Sequence, residues 1–253
     1  MHKSYITALI LLSSSLHIAH AQQQERPSKD ILAKELEVRS NYWNSSTNAA
    51  GLLLDKPSES ATLEAGYKMD EGSFRRPQGA LKDQAVFLNT EGNSYLKNYY
   101  VQGHFSYQRL NKKEANYNAG LIDPFRNMPY SVADTNSSDW LNQYYNLGFK
   151  ITTPKLADKW SLGLAVDYDA NSGAKQRDVR TLNKYYALSL SPGVIYSVDA
   201  KNHIGVNALY KSFKEESRNQ NMNNYVNQTF YFLSGLGNAI EYVGSGRDMN
   251  YQG

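Results

Sequence analysis

Beyond residue 21 the chain has two histidines, His104 and His203, and it has no cysteine anywhere. Nucleophilic catalysis needs a hydroxyl or thiol with a base in reach, and the sequence offers no thiol and no G-x-S-x-G turn. His104 stands two residues from Ser106, but on a strand two such side chains point in parallel, a poor geometry for a direct hydrogen bond. A hydrolase is therefore the third and weakest expectation. A zinc site fails for the same shortage of ligands. Asp134-Thr135-Asn136-Ser137-Ser138-Asp139 places oxygen atoms at alternate positions like the start of a calcium loop, yet it lacks the glycine and the distal glutamate of the EF-hand pattern. No catalytic, cofactor or metal residues are assigned.

Three charged constellations remain. Asp167 and Asp169 share one side of a strand, where they would attract cations to a pore lining or pair with Lys150 on the neighbouring strand. His104 falls on the same predicted lining. Arg75-Arg76-Pro77 lies in a predicted loop, where two cations would meet the phosphates of lipopolysaccharide or stay solvated. The net charge of +3 is small and the basic residues are scattered, so nucleic acid is not an expected partner.

The elements that must position these groups alternate with a period of two from Thr62 onward. Leu63, Ala65, Tyr67 and Met69 face one way, and Val101, Gly103, Phe105 and Tyr107 repeat the pattern. Tyr145, Leu147, Phe149 and Ile151 alternate with Tyr144, Asn146, Gly148 and Lys150. Trp160, Leu162, Leu164, Val166 and Tyr168 then alternate with Ser161, Gly163, Ala165, Asp167 and Asp169. A third pair sets Tyr186, Leu188, Leu190, Val194 and Tyr196, then Ile204, Val206, Ala208 and Tyr210, against Ala187, Ser189, Ser191, Gly193, Gly205 and Asn207. One face is aliphatic and closed by aromatics, as in a strand crossing a bilayer, and the other is small or polar, as a wet lumen tolerates. The 20 tyrosines against 8 phenylalanines fit a girdle at the membrane surface.

Short turns are expected at Asn89 to Asn93, Pro154 to Asp158 and Asp199 to Asn202. Long polar loops are expected at Asn111 to Asp139, Asn171 to Thr181 and Lys214 to Asn227. That alternation is the habit of outer-membrane barrels. The mean hydropathy of -0.61 is no objection, because only alternate residues of such strands are apolar. Strand character is also expected in Thr229 to Leu233.

Lys3, the apolar run from Tyr5 to Leu16 and Ala19-His20-Ala21 form a secretory signal peptide over residues 1–21. Residues 22–60 form an N-terminal segment, with helical spacing of Ile31, Leu32, Leu36 and Val38 between Ser28 and Arg39. Residues 61–253 are the strands. With no cysteine to make a disulfide, an exported chain must find its stability in a large core, a metal or a closed sheet.

Trp43 and the stretch Ser46-Thr47-Asn48-Ala49-Ala50-Gly51-Leu52 carry a resemblance. The stretch resembles the N-x-A-G-L/M opening of the FadL-like outer-membrane transport family and related Gram-negative barrels, with Ala49 where that family usually has Pro. The resemblance implies that Trp43, Asn48, Ala50, Gly51 and Leu52 belong to a hatch folded into the lumen; the residues alone are equally compatible with a capped turn before the first strand. The expectation is an all-β protein, an antiparallel transmembrane β-barrel whose strands stop before closure, preceded by a short helical segment. It would sit in the outer membrane against lipid and lipopolysaccharide, with an outer-membrane or periplasmic protein partner. It would act as a channel or transport barrel, or alternatively as a non-conducting scaffold that presents loops.

Overall fold

The computed structural model describes residues 36, 39–55, 57–125, 131–223, 225–235, 237–244 and 248–252. The expected signal peptide and most of the Ser28–Arg39 helix lie outside the described residues; Leu36, Arg39 and Ser40 are helical and exposed. The chain divides into two units, residues 1–41 and 42–253, and the second holds the strands.

A 3-10 helix, Ala49–Leu54, precedes twelve strands among the described residues. They are β1 (Ser60–Glu71), β2 (Lys82–Leu96), β3 (Tyr99–Ala115), β4 (Ser131–Ala133), β5 (Ser138–Thr152) and β6 (Trp160–Lys175). β7 (Arg180–Ser197), β8 (His203–Asn207), β9 (Tyr210–Gln220), β10 (Gln228–Gly235), β11 (Asn238–Gly244) and β12 (Asp248–Gln252) follow. The fold is all-β and antiparallel. The large sheet runs β1-β2-β3-β5-β6-β7-β9-β12, with β8 also on β7; a small sheet runs β11-β10-β4. β8 and β9 continue one line, since Gly193 opposes Asn207 and Leu190 opposes Tyr210 in the same register. The break between them lies opposite Ser191 and Pro192, and proline has no N–H for the ladder. β1 and β12 are the edges of the large sheet, so among the described residues the sheet is open.

Register aligns the alternating residues into two faces of opposite character. Val101 opposes Ile151, which opposes Leu164, and Phe149 opposes Val166, which opposes Leu190. On the other face His104 opposes Gly148, which opposes Asp167, which opposes Ser189. The apolar face is the exposed one: Leu63 is 75% exposed, Ile204 63% and Val206 67%. The polar face is the covered one, with Asn142 and Asn183 at 0% and Thr152, Ser161 and Ser217 also buried.

At one end of the sheet the connections are short: Lys97-Asn98, 153–159 and 198–202. Lys97 takes a left-handed conformation, φ 59°, to turn there. In the last of these turns Asp199 accepts from Lys201 N, Asn202 N and Asn202 Nδ2, each at 2.7 Å, and those donors, the Asn202 side chain first, hold its carboxyl below the usual carboxylate range. At the other end lie the longer connections 72–81 and 116–137, the second of which carries β4, together with a four-residue β6–β7 turn, 176–179, so the expected alternation of short and long connections fails at that turn.

The strands are longer than the hydropathy suggests, and this corrects four expectations, one turn and three loops. Asn89 to Asn93 is not a turn but the middle of β2: Asn89, Glu91 and Asn93 alternate on the polar face, and Asn89 Nδ2 donates to Glu64 of β1 at 3.3 Å. The expected loops beginning at Asn111, Asn171 and Lys214 start as strand, because β3, β6 and β9 run on to Ala115, Lys175 and Gln220. Past the apolar band, cross-strand pairs such as Lys113–Asp139 at 2.6 Å and Lys82–Glu71 at 2.9 Å take over. Thr229 to Leu233 is a strand as expected, but it belongs to the small sheet. Asp134, which opens the oxygen-rich stretch that only partly matches a calcium loop, receives a hydrogen bond from Lys175 Nζ with both side chains fully buried. Burial pushes the Asp134 carboxyl above its ordinary value, against the pull of Lys175.

Candidate functional site

The segment around Asn48 lies on the polar face of the large sheet. Asn48 caps the 3-10 helix, its Oδ1 accepting from Ala50 N at 3.1 Å. The same side chain donates from Nδ2 to Val194 O of β7 at 3.4 Å and Val206 O of β8 at 3.3 Å. Lys150 Nζ donates to Asn44 O at 2.9 Å, Ser191 Oγ to Thr47 O at 3.1 Å, and Thr152 Oγ1 to Ala49 O. Trp43 N donates to Asp55 Oδ2 at 2.8 Å, which closes the segment on itself. Burial raises the Asp55 carboxyl above its ordinary value, opposed by the amides of Trp43 and Asn44. Leu52 and Ala49 pack with Tyr100 of β3.

Glycines make the seat. A Cβ on Gly163 of β6 would stand 2.1 Å from Ala50 N, and one on Gly193 of β7 would stand 2.1 Å from Asn48 Oδ1. A Cβ on Gly51 would stand 2.1 Å from the Trp43 ring. Trp43, Asn48, Ala50, Gly51 and Leu52, singled out in the sequence, are thus held in one assembly. The capped-turn reading and the docked-segment reading describe the same object, since the cap and the dock use one asparagine.

Beside the segment, His104 Nε2 lies 2.7 Å from Asn146 Oδ1 and 3.2 Å from Asp167 Oδ2. Asn146 Nδ2 donates to Asp167 at 2.9 Å and to Asp169 at 3.0 Å. Gly148 permits this convergence: a Cβ there would meet His104 Cε1 at 2.3 Å and Asp167 Oδ2 at 2.9 Å. His104, Asp167 and Asp169 therefore come together around Asn146, while Lys150 holds the segment instead of pairing with the aspartates. Asn146, the hub, was legible only as a polar alternate of β5. A cavity of about 550 Å³ reaches from Asn44 and Gln102 past His104 to Glu64 and Glu91, and one of about 240 Å³ reaches from Thr47 past Lys150 and Asp167 to Ser189. Among the described residues no group of three or more His, Cys, Asp or Glu side chains is placed to hold a metal.

Arg75 and Arg76 are apart from this site and differ in role. Arg75 Nη1 donates to Gly79 O at 2.9 Å and Glu114 O at 2.5 Å, tying its loop to the end of β3, while the Arg76 guanidinium lies 4.8 Å from the centre of the Phe125 ring.

Residues 49–253, most of the chain, match a family described as a family of unknown function (DUF6850). The chain belongs to the DUF6850 family. No curated protein and no solved structure matches it. The DUF6850 match opens on Ala49, the first residue of the 3-10 helix, so it takes in the helix, the glycine seat and the His104–Asn146–Asp167–Asp169 network. Trp43 and Asn48 precede it.

Proposed function

We propose that this DUF6850 chain forms an outer-membrane β-barrel that serves as a channel or transporter for a hydrophilic solute, with the segment Trp43–Leu52 as its lumen hatch. One observation carries the reading: the exposed face of the large sheet is apolar and its covered face is polar. In water such a sheet would leave its aliphatic face uncovered, whereas lipid covers that face and a wet lumen suits the other. The spacing of the aromatics supports it. Trp160 and Tyr168 bracket the apolar run of β6, and Tyr186 and Tyr196 that of β7. At about 3.3 Å per residue these spans are about 26 and 33 Å along the strand, or about 20 and 25 Å along the membrane normal at a tilt of about 40°, the height of a bilayer's apolar band. No helix among the described residues is long and apolar enough to cross a membrane. The signal-peptide pattern of residues 1–21 supports export, and the Asn48–Leu52 resemblance to the FadL-like opening supports the hatch. The lining departs from a carrier of hydrophobic compounds, because His104, Lys150, Asp167, Ser189 and Ser191 face the cavities.

The test is fractionation with heat modifiability, followed by liposome swelling. The reading expects a detergent-resistant band in outer membranes that shifts on boiling, and vesicles that admit small sugars or amino acids once the segments seated on the polar face are loosened. A soluble periplasmic protein with no shift would overturn it. A second reading, a non-conducting scaffold, is favoured by the small β11-β10-β4 sheet, a structured addition at the loop end; a heat-modifiable protein that never admits solute, even with the hatch and every other segment seated on the polar face loosened, would select it.

A further inference from the structure

We propose that residues Asn118–Ile122 form a second plug, seated at the opposite end of the polar face from the hatch, so that the lumen is sealed twice with a hydrophilic compartment between. This rests on the barrel reading above. Asn118-Ala119-Gly120-Leu121 repeats Asn48-Ala49-Ala50-Gly51-Leu52 with one residue fewer, and the repeat extends to the contacts. Asn118 Oδ1 accepts from Gly120 N at 3.4 Å and Leu121 N at 3.2 Å, as Asn48 Oδ1 accepts from Ala50 N. The carbonyl of Ala119 accepts from the buried hydroxyl of Thr181 at 2.7 Å, as that of Ala49 accepts from buried Thr152. Leu121 and Leu52 are each 1% exposed.

The seats match as well. Gly163 of β6 lies against Ala50, and Gly173 of the same strand lies against Ile122, where a Cβ would stand 3.2 Å from Ile122 Cγ1 and 2.8 Å from Asn142 Oδ1. Ile122 N donates to Glu215 Oε1 of β9 at 2.9 Å. The two seats are ten residues apart, about 33 Å along β6, and the polar-face residues between them are Ala165, Asp167, Asp169 and Asn171. The His104–Asn146–Asp167–Asp169 network thus lies between the plugs. Both plugs use a side-chain-capped turn held by side chains and glycine clearance, the kind of contact that opens locally before the sheet does.

Seals in series obey a simple rule: opening one leaves the path closed. The experiment measures planar-bilayer conductance of the full-length protein carrying Gly163→Leu, Gly173→Leu or both. Each single variant is expected to stay within about twofold of the parent and the double variant to exceed it by about tenfold or more. Should Gly173→Leu fail to assemble, Thr181→Val with Glu215→Gln loosens the second plug without adding bulk. Conductance of Gly163→Leu alone equal to that of the double would overturn the proposal, as would a double variant that remains closed while still heat-modifiable. Loss of heat modifiability in the parent protein would instead sink the barrel reading, and the second plug with it.

Discussion

Leu164 lies on the apolar face of β6, four residues from Trp160 and four from Tyr168, between Ile151 and Pro192. In the barrel reading it faces the middle of the bilayer. There Leu164→Arg costs about 2–4 kcal/mol, and the same change nearer an interface costs about 0–1 kcal/mol. Leu162→Arg, two residues closer to the Trp160 end, should fall between these limits. A water-exposed sheet face gives a different answer, since surface substitutions away from special features stay within about 0.5 kcal/mol whatever their position. Ser189→Arg on the opposite face is the control, because its side chain enters the cavity beside Asp167 and reaches water. The assay is urea unfolding from lipid vesicles followed by tryptophan fluorescence. Costs for Leu164 and Leu162 that are equal and under about 0.5 kcal/mol would mean that this face does not meet lipid.

Asn48→Ala removes a helix cap and two bonds to strand carbonyls, so the segment should loosen by about 2 kcal/mol; limited proteolysis should cleave within residues 42–55 while the sheet stays intact. Lys175→Met leaves the Asp134 carboxylate buried and unpaired, and thermal unfolding should report about 3–5 kcal/mol lost, most of it restored by adding Asp134→Leu. Because the Asp55 carboxyl is raised in the fold, its contribution is full below the ordinary carboxylate value and is lost as pH rises through the raised one; proteolysis of the segment should quicken across that interval, and Asp55→Asn should abolish that component of the pH dependence.

Much of the large sheet is legible from alternation alone, because a strand with one apolar and one polar face leaves a period of two. Tyr145 to Ile151 and Trp160 to Tyr168 pair in the observed register, and seven strand positions of the large sheet precede Gln220, as the periodicity implies. The pattern fades where neither face needs to be apolar. For that reason Asn89 to Asn93 resembled a turn, and the polar extensions of β3, β6 and β9 resembled loops. The candidate site was legible in its parts. Asn48, Gly51, His104 and Asp167 stand out by type, but their meeting depends on register across strands far apart in the chain. Asn146 becomes a hub only when β5 is placed between β3 and β6. The second Asn-Ala-Gly-Leu run at Asn118 was a sequence signal that a search for internal repeats would have found.

The docking of the Asn48 segment sets an order of events in folding. Its residues are synthesised early, yet every strand that seats it comes at least about 50 residues later, and the Val206 carbonyl it grips lies 158 residues on. Loop closure over such distances is slow and gains nothing until the partners exist. Asn48 spans the β7–β8 pair, so it can lock only after that hairpin has joined the sheet. Protection of this early segment from a protease is therefore a clock: it reports when the seventh strand position has been filled, without any probe placed in the sheet itself.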